Sequence, residues 1–487
     1  MKRFFGWISI VLVVVFLMSG CSKVPKEMSV KDVQEILSNV NSNPYGIKFQ
    51  AKDADISARP AELEDDCEGF VITLKNPDIT FDTSMLREFS PDLKKTVIPM
   101  KASEMVMSYD FKKERLNILS LTDVALEMNM MDLVNVEEPK GDNPKPLEGP
   151  VMVKWTADKV AMKNYIITAL MNTGEATAKD VMLKFMADNN NVHFVVTDMD
   201  LKMSMDLGEE KKTEISVSTE RVEAHQRMRA DFFTAWLKEE MTVEKADRMM
   251  AGGLSIFHLY GKFLNSNFDV NVEGKEVAVG NLWQLDFANF LKPDDKGKFY
   301  EYGFFYNVKQ LRSSIPGAAG LEQLLTNFKE LNINVIVNHL TPEVVAAYLK
   351  LSSINFSSEY KDKEAKQQAM MKEAMGLAPK MIASKPIFKF TILPFRNHFG
   401  EVNLNSQFQF LSAGWPEGKA TVKVKDMSKM MANIGQDDFI NEKTKKKLIS
   451  ILNEYFLPDP KDTGVLTFEV KPGQPGEFIL NGKPLKK

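Results

Sequence analysis

Residues 192–205 read Val-His-Phe-Val-Val-Thr-Asp-Met-Asp-Leu-Lys-Met-Ser-Met, and apolar side chains recur at every second position on both sides of Thr197. A period of two is typical of a β-strand with one buried face. The same period dominates from Tyr45 to about Val222, in runs that polar turns separate. Runs that lie close together in sequence favour antiparallel pairing over parallel strands joined by crossover helices. Other runs of this kind are Ile47/Phe49/Ala51, Phe70/Ile72/Leu74, Met105/Met107/Tyr109 and Val124/Leu126/Met128/Met130.

Helical periodicity interrupts these strands. Ser29 is placed to cap a first helix with Asp32 at the capping-box position, and Thr341 followed by Pro342 is a favourable helix start. The other predicted helices are Phe232 to Met241, Val243 to Phe263, Glu359 to Met375 ended by Gly376, and Met427 to Phe456 split near Gly435. Strands are predicted to return at Phe268–Val279, Tyr300–Val308 and Phe388–Val424, with a closing hairpin of Val465–Val470 and Phe478–Leu480.

Strands followed by helices therefore occur twice along the chain. This order predicts an α+β fold, in which antiparallel, strongly curved β-sheets pack around helices and the chain forms two similar halves. The expected segments are a signal peptide at 1–20, a lipidated cysteine and tether at 21–28, an N-terminal half at 29–263 and a C-terminal half at 264–487.

A loose recurrence lies within the first strand-rich region. Residues 121–128, 155–162 and 196–203 each set a threonine before alternating apolar residues. The unequal intervals between them do not fit the fixed period of a solenoid. We interpret the recurrence as strands of similar chemistry that arose independently.

The N-terminus has the three parts of a secretory signal: basic Lys2 and Arg3, the apolar run Phe4 to Met18, and small residues before Cys21. The apolar run is shorter than the roughly 18–20 residues that a transmembrane helix needs. Met18-Ser19-Gly20-Cys21 resembles the lipobox of bacterial lipoproteins. The resemblance implies cleavage before Cys21 and acylation of its thiol, which makes Cys21 the predicted membrane attachment. Because an aspartate after the cysteine would favour the inner membrane, Ser22 favours the outer membrane, facing the periplasm.

Charge and cysteine content exclude several classes of protein. The formal charge is −4, and loss of Lys2 and Arg3 makes it −6, so nucleic acid is not an expected partner. Cys67 alone remains once Cys21 is lipidated, so no disulfide can form within the chain.

No catalytic, metal-binding or cofactor motif stands out. The five histidines occur singly, outside metal-ligand spacings, and G-x-S-x-G and phosphate-binding loops are absent. Cys67 lies among acidic residues, which disfavour a reactive thiolate. We therefore expect no catalytic residue, no metal and no cofactor. The five histidines are His193, His225, His258, His339 and His398.

The 29 methionines leave two interpretations open. Flexible thioethers suit an apolar groove for acyl chains or varied partner peptides, and they fill ordinary cores equally well.

The C-terminal region, about residues 300 to 487, carries a resemblance to a known family. The segments 386–390, 400–402 and 478–485, which read Pro-Ile-Phe-Lys-Phe, Gly-Glu-Val and Phe-Ile-Leu-Asn-Gly-Lys-Pro-Leu, resemble the YdgA-like family of bacterial envelope proteins. The resemblance implies an envelope protein of α+β build without assigned catalytic residues. Members of that family tend to carry an uncleaved anchor, whereas this chain has a lipobox.

Together these features predict a periplasm-facing lipoprotein that binds or assembles and is not an enzyme. The expected partners are the membrane through the lipid on Cys21, and a lipid or an envelope protein in an apolar groove. The alternatives are an envelope hydrolase with a dispersed active site and a purely structural lipoprotein.

Overall fold

The computed structural model describes residues 27–44, 46–63, 67–84, 93–133, 150–171, 176–206, 212–237, 241–251, 255–314, 327–354, 363–410, 416–437, 440–458, 461, 463–470 and 478–484. Among these residues 56% lie in strands and 28% in helices. Cys21 and the predicted signal peptide lie outside the described residues.

The strands are long in the middle of the chain and short at its two ends. The N-terminal strands are β1 Gly46–Gln50, β2 Ile56–Leu63, β3 Cys67–Lys75, β4 Asp78–Asp82, β5 Val97–Lys101 and β6 Glu104–Asp110. The long strands are β7 Arg115–Asn129, β8 Val151–Ile166, β9 Asn191–Asp206, β10 Lys212–Met228, β11 Phe257–Val272, β12 Lys275–Pro293, β13 Tyr300–Ser314 and β14 Phe328–Leu340. The C-terminal strands are β15 Ile387–Arg396, β16 Glu401–Phe410, β17 Pro416–Lys425, β18 Leu457–Pro458, β19 Gly464–Val470, β20 Phe478–Leu480 and β21 Lys483–Pro484.

Eight α-helices are described between these strands. They are α1 Val30–Asn41, α2 Ala178–Asp188, α3 Ala230–Leu237, α4 Val243–Ala251, α5 Pro342–Ile354, α6 Lys363–Ser384, α7 Met427–Gln436 and α8 Glu442–Tyr455. The predicted start of α1 is confirmed, because the Ser29 hydroxyl accepts from the Asp32 backbone and the Asp32 carboxylate accepts from Ser29 in return. None of the described helices is long and apolar enough to span a bilayer.

The 21 strands of the described residues all belong to one antiparallel sheet. From β6 to β17 each strand pairs with the next strand in sequence, which is a continuous meander. At the N-terminal end β7 also pairs with β5, and β3 pairs with β2 and β6. At the C-terminal end β19 joins β17, β18 and β20.

The predicted α+β class is therefore wrong. One large antiparallel sheet replaces separate curved sheets packed around helices. The point between residues 263 and 264 lies inside β11, which pairs on both sides of it. Local periodicity could not show this, because each strand reports its own buried face and not which strands continue the same sheet.

Two helix boundaries also differ from the prediction. The second predicted helix, Val243 to Phe263, ends at Ala251, and Phe257 already belongs to β11. Helix α6 continues through Gly376 to Ser384. A Cβ on Gly376 would meet no atom within 4 Å, so this glycine sits in an ordinary helical position and not at a helix end.

Helices cover three parts of the sheet and form three hydrophobic clusters there. Helix α1 packs with β1, β3 and β6–β8 in the first cluster, where Val33 and Val40 are fully buried. Helices α3–α5 pack on one end of β11–β14 in the second. Helices α7 and α8 pack on β16, β17 and β19 in the third.

Candidate functional site

The ladders from β7 to β14 skip one residue pair along a line that crosses the sheet. Strands β9 and β10, for example, pair at Met199–Thr219 and at Thr197–Arg221, but not at the positions between them. The register is the same on both sides of the gap. We call this line the crease, and its residues in strand order are Asp123, Asp158, Asp198, Glu220, Asn265, Trp283, Gln310 and Lys329.

Every second strand along the crease contains a left-handed residue. The backbone angle φ is 50° at Asp123, 48° at Asp198, 52° at Asn265 and 51° at Gln310. Asparagine and aspartate adopt the left-handed backbone conformation at a lower steric cost than other residues with a side chain. A residue in this conformation departs from the extended geometry of a strand, so the strands change direction along one common line.

The crease also reverses the alternation of side chains. Leu121 and Val124 are three residues apart and share one buried cluster, as do Ala157 and Val160. In an uninterrupted strand, residues three apart would lie on opposite faces. Each strand therefore keeps its apolar side chains on one face of the sheet on both sides of the crease. We call this the inner face and the other the outer face.

Side-chain exposure indicates to which side the sheet bends at the crease. Of the inner-face residues beside the crease, Thr219, Ser266 and Phe328 are buried, at 2%, 7% and 7% exposed, and their neighbours on β9–β14 are half-buried. Seven of the eight crease residues are exposed on the outer face, including Trp283 at 50%. Side chains crowd on the inside of a bend and spread on its outside. We infer from this difference that the sheet bends into a trough, with its bottom on the inner face and an exposed ridge on the outer face.

The middle of this trough is open among the described residues. Its side chains on β9 to β15 are mostly half-buried, and of the described residues nearest the bottom only Val196 packs against one of the three helix-covered clusters. We call this open part the gutter. Its residues near the bottom are Met199, Val222, Phe263, Leu282, Leu285, Val308, Leu311 and Leu331, and those higher up include Leu201, Val217, Phe268, Phe287, Tyr306 and Ile333.

The gutter is apolar and carries no Asp, Glu, Lys or Arg among the residues just named. Aromatic rings line one wall. The Phe263 and Phe287 rings stack with centroids 6.3 Å apart, and Phe287 and Tyr306 stack at 6.4 Å. The Phe287 ring lies over Gly261, where an added Cβ would come within 2.2 Å of it. An aromatic ring that lies over a glycine of the adjacent strand stays close to the backbone and continues the apolar surface where the glycine has no side chain.

Helices close both ends of the gutter. At the N-terminal end the first cluster fills the trough over β7 and β8, with Leu121 and Val160 buried in it. At the C-terminal end α7 and α8 cover Val402 and Val422. The open length runs from β9 to β15, which is six strand spacings, or about 29 Å at about 4.8 Å each.

The structure brings three of the five histidines together on the outer face. The His193 and His225 rings are neighbours on β9 and β10, 5.9 Å between centroids, and His258 follows on β11. Burial, His193 and His258 together hold the pKa of His225 below its ordinary value. Within the described residues, no group of three His, Cys, Asp or Glu side chains is arranged to hold a metal.

The other residues considered from the sequence lie apart from the gutter. The His339 ring stacks on Phe299 at 4.8 Å, and His398 Nε2 lies 2.8 Å from an Asp437 oxygen. Cys67 begins β3, opposite Leu63 across a hairpin.

The methionines support both interpretations that the sequence left open. Met105 and Met107 are fully buried in the first cluster, as an ordinary core requires. Met199 and Met203 lie half-buried on the inner face of β9.

A cavity outside the gutter involves charged groups that are already paired. About 460 Å³ lies beside Arg229, Asp231 and Arg248. Arg229 donates to Asp231 at 2.7 Å, and this hydrogen bond lowers the pKa of the Asp231 carboxyl. Arg248 pairs with Glu244 at 3.3 Å. Because these charged groups already pair with each other, the gutter is the stronger candidate site.

Sequence reasoning missed the crease, although it left a signal. In the recurrence at residues 121–128 and 196–203, two polar residues in succession break the alternation, and the aspartate of each pair is a left-handed crease residue. The segment 155–162 runs antiparallel between them and places Asp158 opposite both. The three segments of the recurrence therefore share one structural role, since each contributes an aspartate to the crease.

Comparison with known proteins identifies a bacterial family for this chain. Residues 165–441 match the family described as bacterial protein of unknown function (DUF945). This match covers more than half of the chain, and the chain belongs to that family. It spans β9 to β17 and so contains the whole gutter. Neither the curated proteins nor the solved structures gave a match.

Proposed function

We propose that this protein is a membrane-anchored, periplasm-facing lipoprotein that acts as a non-enzymatic binding or assembly protein, with the gutter as its binding surface. The observation that carries the proposal is the apolar face of β9–β15, which no described residue covers. Soluble proteins rarely leave a contiguous apolar patch of this kind exposed unless it binds something. An apolar cleft with few polar groups is also the usual character of a ligand site.

The sequence supports the anchor. Met18-Ser19-Gly20-Cys21 has the lipobox pattern, and the resemblance of residues 300–487 to YdgA-like envelope proteins points to the same compartment. The seven residues from Ser22 to Met28 would extend at most about 25 Å at 3.3–3.6 Å per residue. Since α1 starts at Val30, the anchor would hold the β1–β8 end of the sheet near the membrane, with the gutter beyond it.

The arrangement of titratable groups supports binding over hydrolysis. The histidine group lies on the outer face, away from the concave surface, and an enzyme site needs clustered titratable groups in a concavity. An envelope hydrolase remains the alternative function, and a structural lipoprotein without a ligand is the other.

The anchor is tested by labelling cells with radioactive palmitate. Cys21→Ser should abolish incorporation of the label and release the protein from the membrane fraction. Cys67→Ser is the matched control and should keep both. Membrane association of Cys21→Ser without label would instead mean an uncleaved N-terminal helix and would refute the lipoprotein proposal.

The binding surface is tested with the uncharged apolar fluorophore Nile red and two leucine variants. Leu285 lies in the gutter on β12, and Leu264 lies on the outer face of β11, both half-buried. Leu285→Lys should weaken binding of the dye because it places a charge on the apolar surface, whereas Leu264→Lys should leave binding unchanged. Equal effects of the two variants would exclude the gutter as the binding surface.

A further inference from the structure

We propose that the occupant of the gutter is hydrocarbon, namely acyl chains of membrane lipids that lie along the gutter across the strands. This inference rests on the proposed function, since it names the ligand of the same surface. It selects between the two occupants left open there, a lipid and a partner protein.

The backbone of the gutter favours acyl chains over a peptide. Each strand from β9 to β14 pairs with a neighbour on both sides, so the ladders already use its N–H and C=O groups. A peptide lying on this face would find no strand edge to pair with, and its own backbone groups would lose water without gaining partners. An acyl chain has no such groups to satisfy.

The side chains point to the same occupant. Above the buried Thr219 and Ser266 pair at the bottom, whose hydroxyls are 3.1 Å apart, the side chains named above as gutter residues are Leu, Val, Ile, Met and aromatic. No carboxylate, ammonium or guanidinium occurs among the gutter residues named above, so nothing there selects a charged partner. An uncharged and flexible chain matches such a surface.

The concave shape disfavours a second copy of the protein. Two sheets that pack face to face keep a roughly even separation of about 10 Å between them. Two identical troughs placed face to face would touch at their rims and leave a void above buried residues such as Ser266 and Phe328. A narrow, deformable chain fills the bottom of a trough without leaving a void.

The length of the gutter also suits a lipid. Its open part spans about 29 Å, six spacings of about 4.8 Å. The hydrocarbon core of a bilayer, two leaflets of acyl chains, is about 30 Å thick. One lipid's chains therefore fit along the gutter with room to spare.

The test uses the mature full-length chain with Cys21→Ser, so that the anchor contributes no acyl group. Binding of the fluorescent fatty acid cis-parinaric acid is titrated, and oleate and a capped peptide of alternating valine and serine serve as competitors. Native mass spectrometry of the protein purified from cells gives the mass of any species already bound, a phospholipid or a free fatty acid.

We expect saturable binding of cis-parinaric acid, displacement by oleate and none by the peptide. Leu285→Asp should weaken binding at least tenfold and Leu264→Asp should not, because an aspartate adds a charge that cannot pair with the carboxylate of the ligand. If Leu285→Asp fails to fold, Val308→Trp, which narrows the gutter without a charge, should weaken binding while Lys309→Trp on the outer face should not. A phospholipid mass in the native spectrum would support a membrane source, and a bound free fatty acid alone would overturn that part of the inference.

Two outcomes separate this inference from the proposed function. If the peptide displaces Nile red in a manner that depends on Leu285 while the fatty acid does not bind, the acyl-chain inference is wrong and the gutter is still a binding surface. If neither an apolar dye nor a fatty acid binds, both are wrong.

Discussion

At the scale of single residues, the crease depends on side chains that accept a left-handed backbone. Asp123, Asp198 and Asn265 supply it on three alternating strands, and they do so without the glycines that often mark such positions. Four consecutive crease positions, from Asp123 to Glu220, are carboxylates on neighbouring strands and are exposed to solvent. Water screens the repulsion between these carboxylates. The preference of each residue type for the local backbone conformation can therefore determine which residues occupy the crease.

Asp198 gives the cleanest test of that preference. Asp198→Val should lower the free energy of unfolding by about 1–2 kcal/mol, because a β-branched side chain is costly in the left-handed region. Asp198→Asn keeps the conformational tolerance and removes one of the adjacent charges, so it should be neutral or slightly stabilising. Urea unfolding of the three proteins measures the difference. Equal stability of the valine and asparagine variants would mean that the left-handed backbone at 198 is not a constraint.

His225 should make the protein less stable in mild acid. Burial and the neighbouring His193 and His258 hold the pKa of His225 below 6.5, so the unfolded chain takes up the proton before the folded chain does. This contribution to stability is present above pH 6.5 and is lost as the pH falls through the lower folded pKa. Urea unfolding at pH 7.5 and 5.5 should show a smaller loss for His225→Gln than for the wild type. An identical loss in both proteins would remove His225 as a cause.

Local interactions of single residues were the features that the sequence predicted best. The Ser29 and Asp32 capping box and the Thr341-Pro342 helix start follow from local interactions, and the structure confirms both. The meeting of His193, His225 and His258 could not be predicted, because it depends on the register of three strands. The register of the strands also brings the crease residues into one line. The spacing of residues within a single strand could therefore not reveal the crease.

At the scale of elements, the inner face is shaped by glycines that lie under aromatic rings of the adjacent strand. An added Cβ on Gly261 would lie 2.2 Å from the Phe287 ring, and one on Gly280 would lie 2.2 Å from the Phe268 ring. Both pairs belong to the gutter walls on β11 and β12. The strand prediction covered Phe268–Val279, whereas the start of β11 was assigned to a predicted helix, Val243 to Phe263, that in the structure ends at Ala251.

Gly261→Ala should destabilise the protein by about 1–3 kcal/mol, since the Phe287 ring must move to admit the methyl group. Gly376→Ala in α6 is the control. It has open space around it and should gain about 0.5–1 kcal/mol, the usual difference between glycine and alanine within a helix.

A double variant checks the cause. Gly261→Ala combined with Phe287→Leu should lose less stability than the sum of the two single variants, because the smaller side chain relieves the clash. Strict additivity in urea unfolding would show that the two residues do not interact.

At the scale of the whole molecule, one meander replaces the two halves that the order of strands and helices suggested. Helices cover the inner face only at its ends and along one rim, and the described part of the chain leaves β9–β15 open between them. The family match over residues 165–441 coincides with this open region. The sequence predicted apolar strand faces and methionines that suit a groove. It could not predict the groove itself, because the groove depends on a bend shared by eight strands and is visible only in the assembled sheet.

Site-specific photocrosslinking in living cells tests the gutter in the anchored protein. The photoreactive residue p-benzoylphenylalanine replaces Leu285 in one full-length variant and Leu264 in the other, and ultraviolet irradiation is followed by mass analysis of the purified adducts. We predict lipid adducts at position 285 and none at position 264. Adducts at both positions in equal yield, or at neither, would contradict a ligand-binding gutter on the inner face.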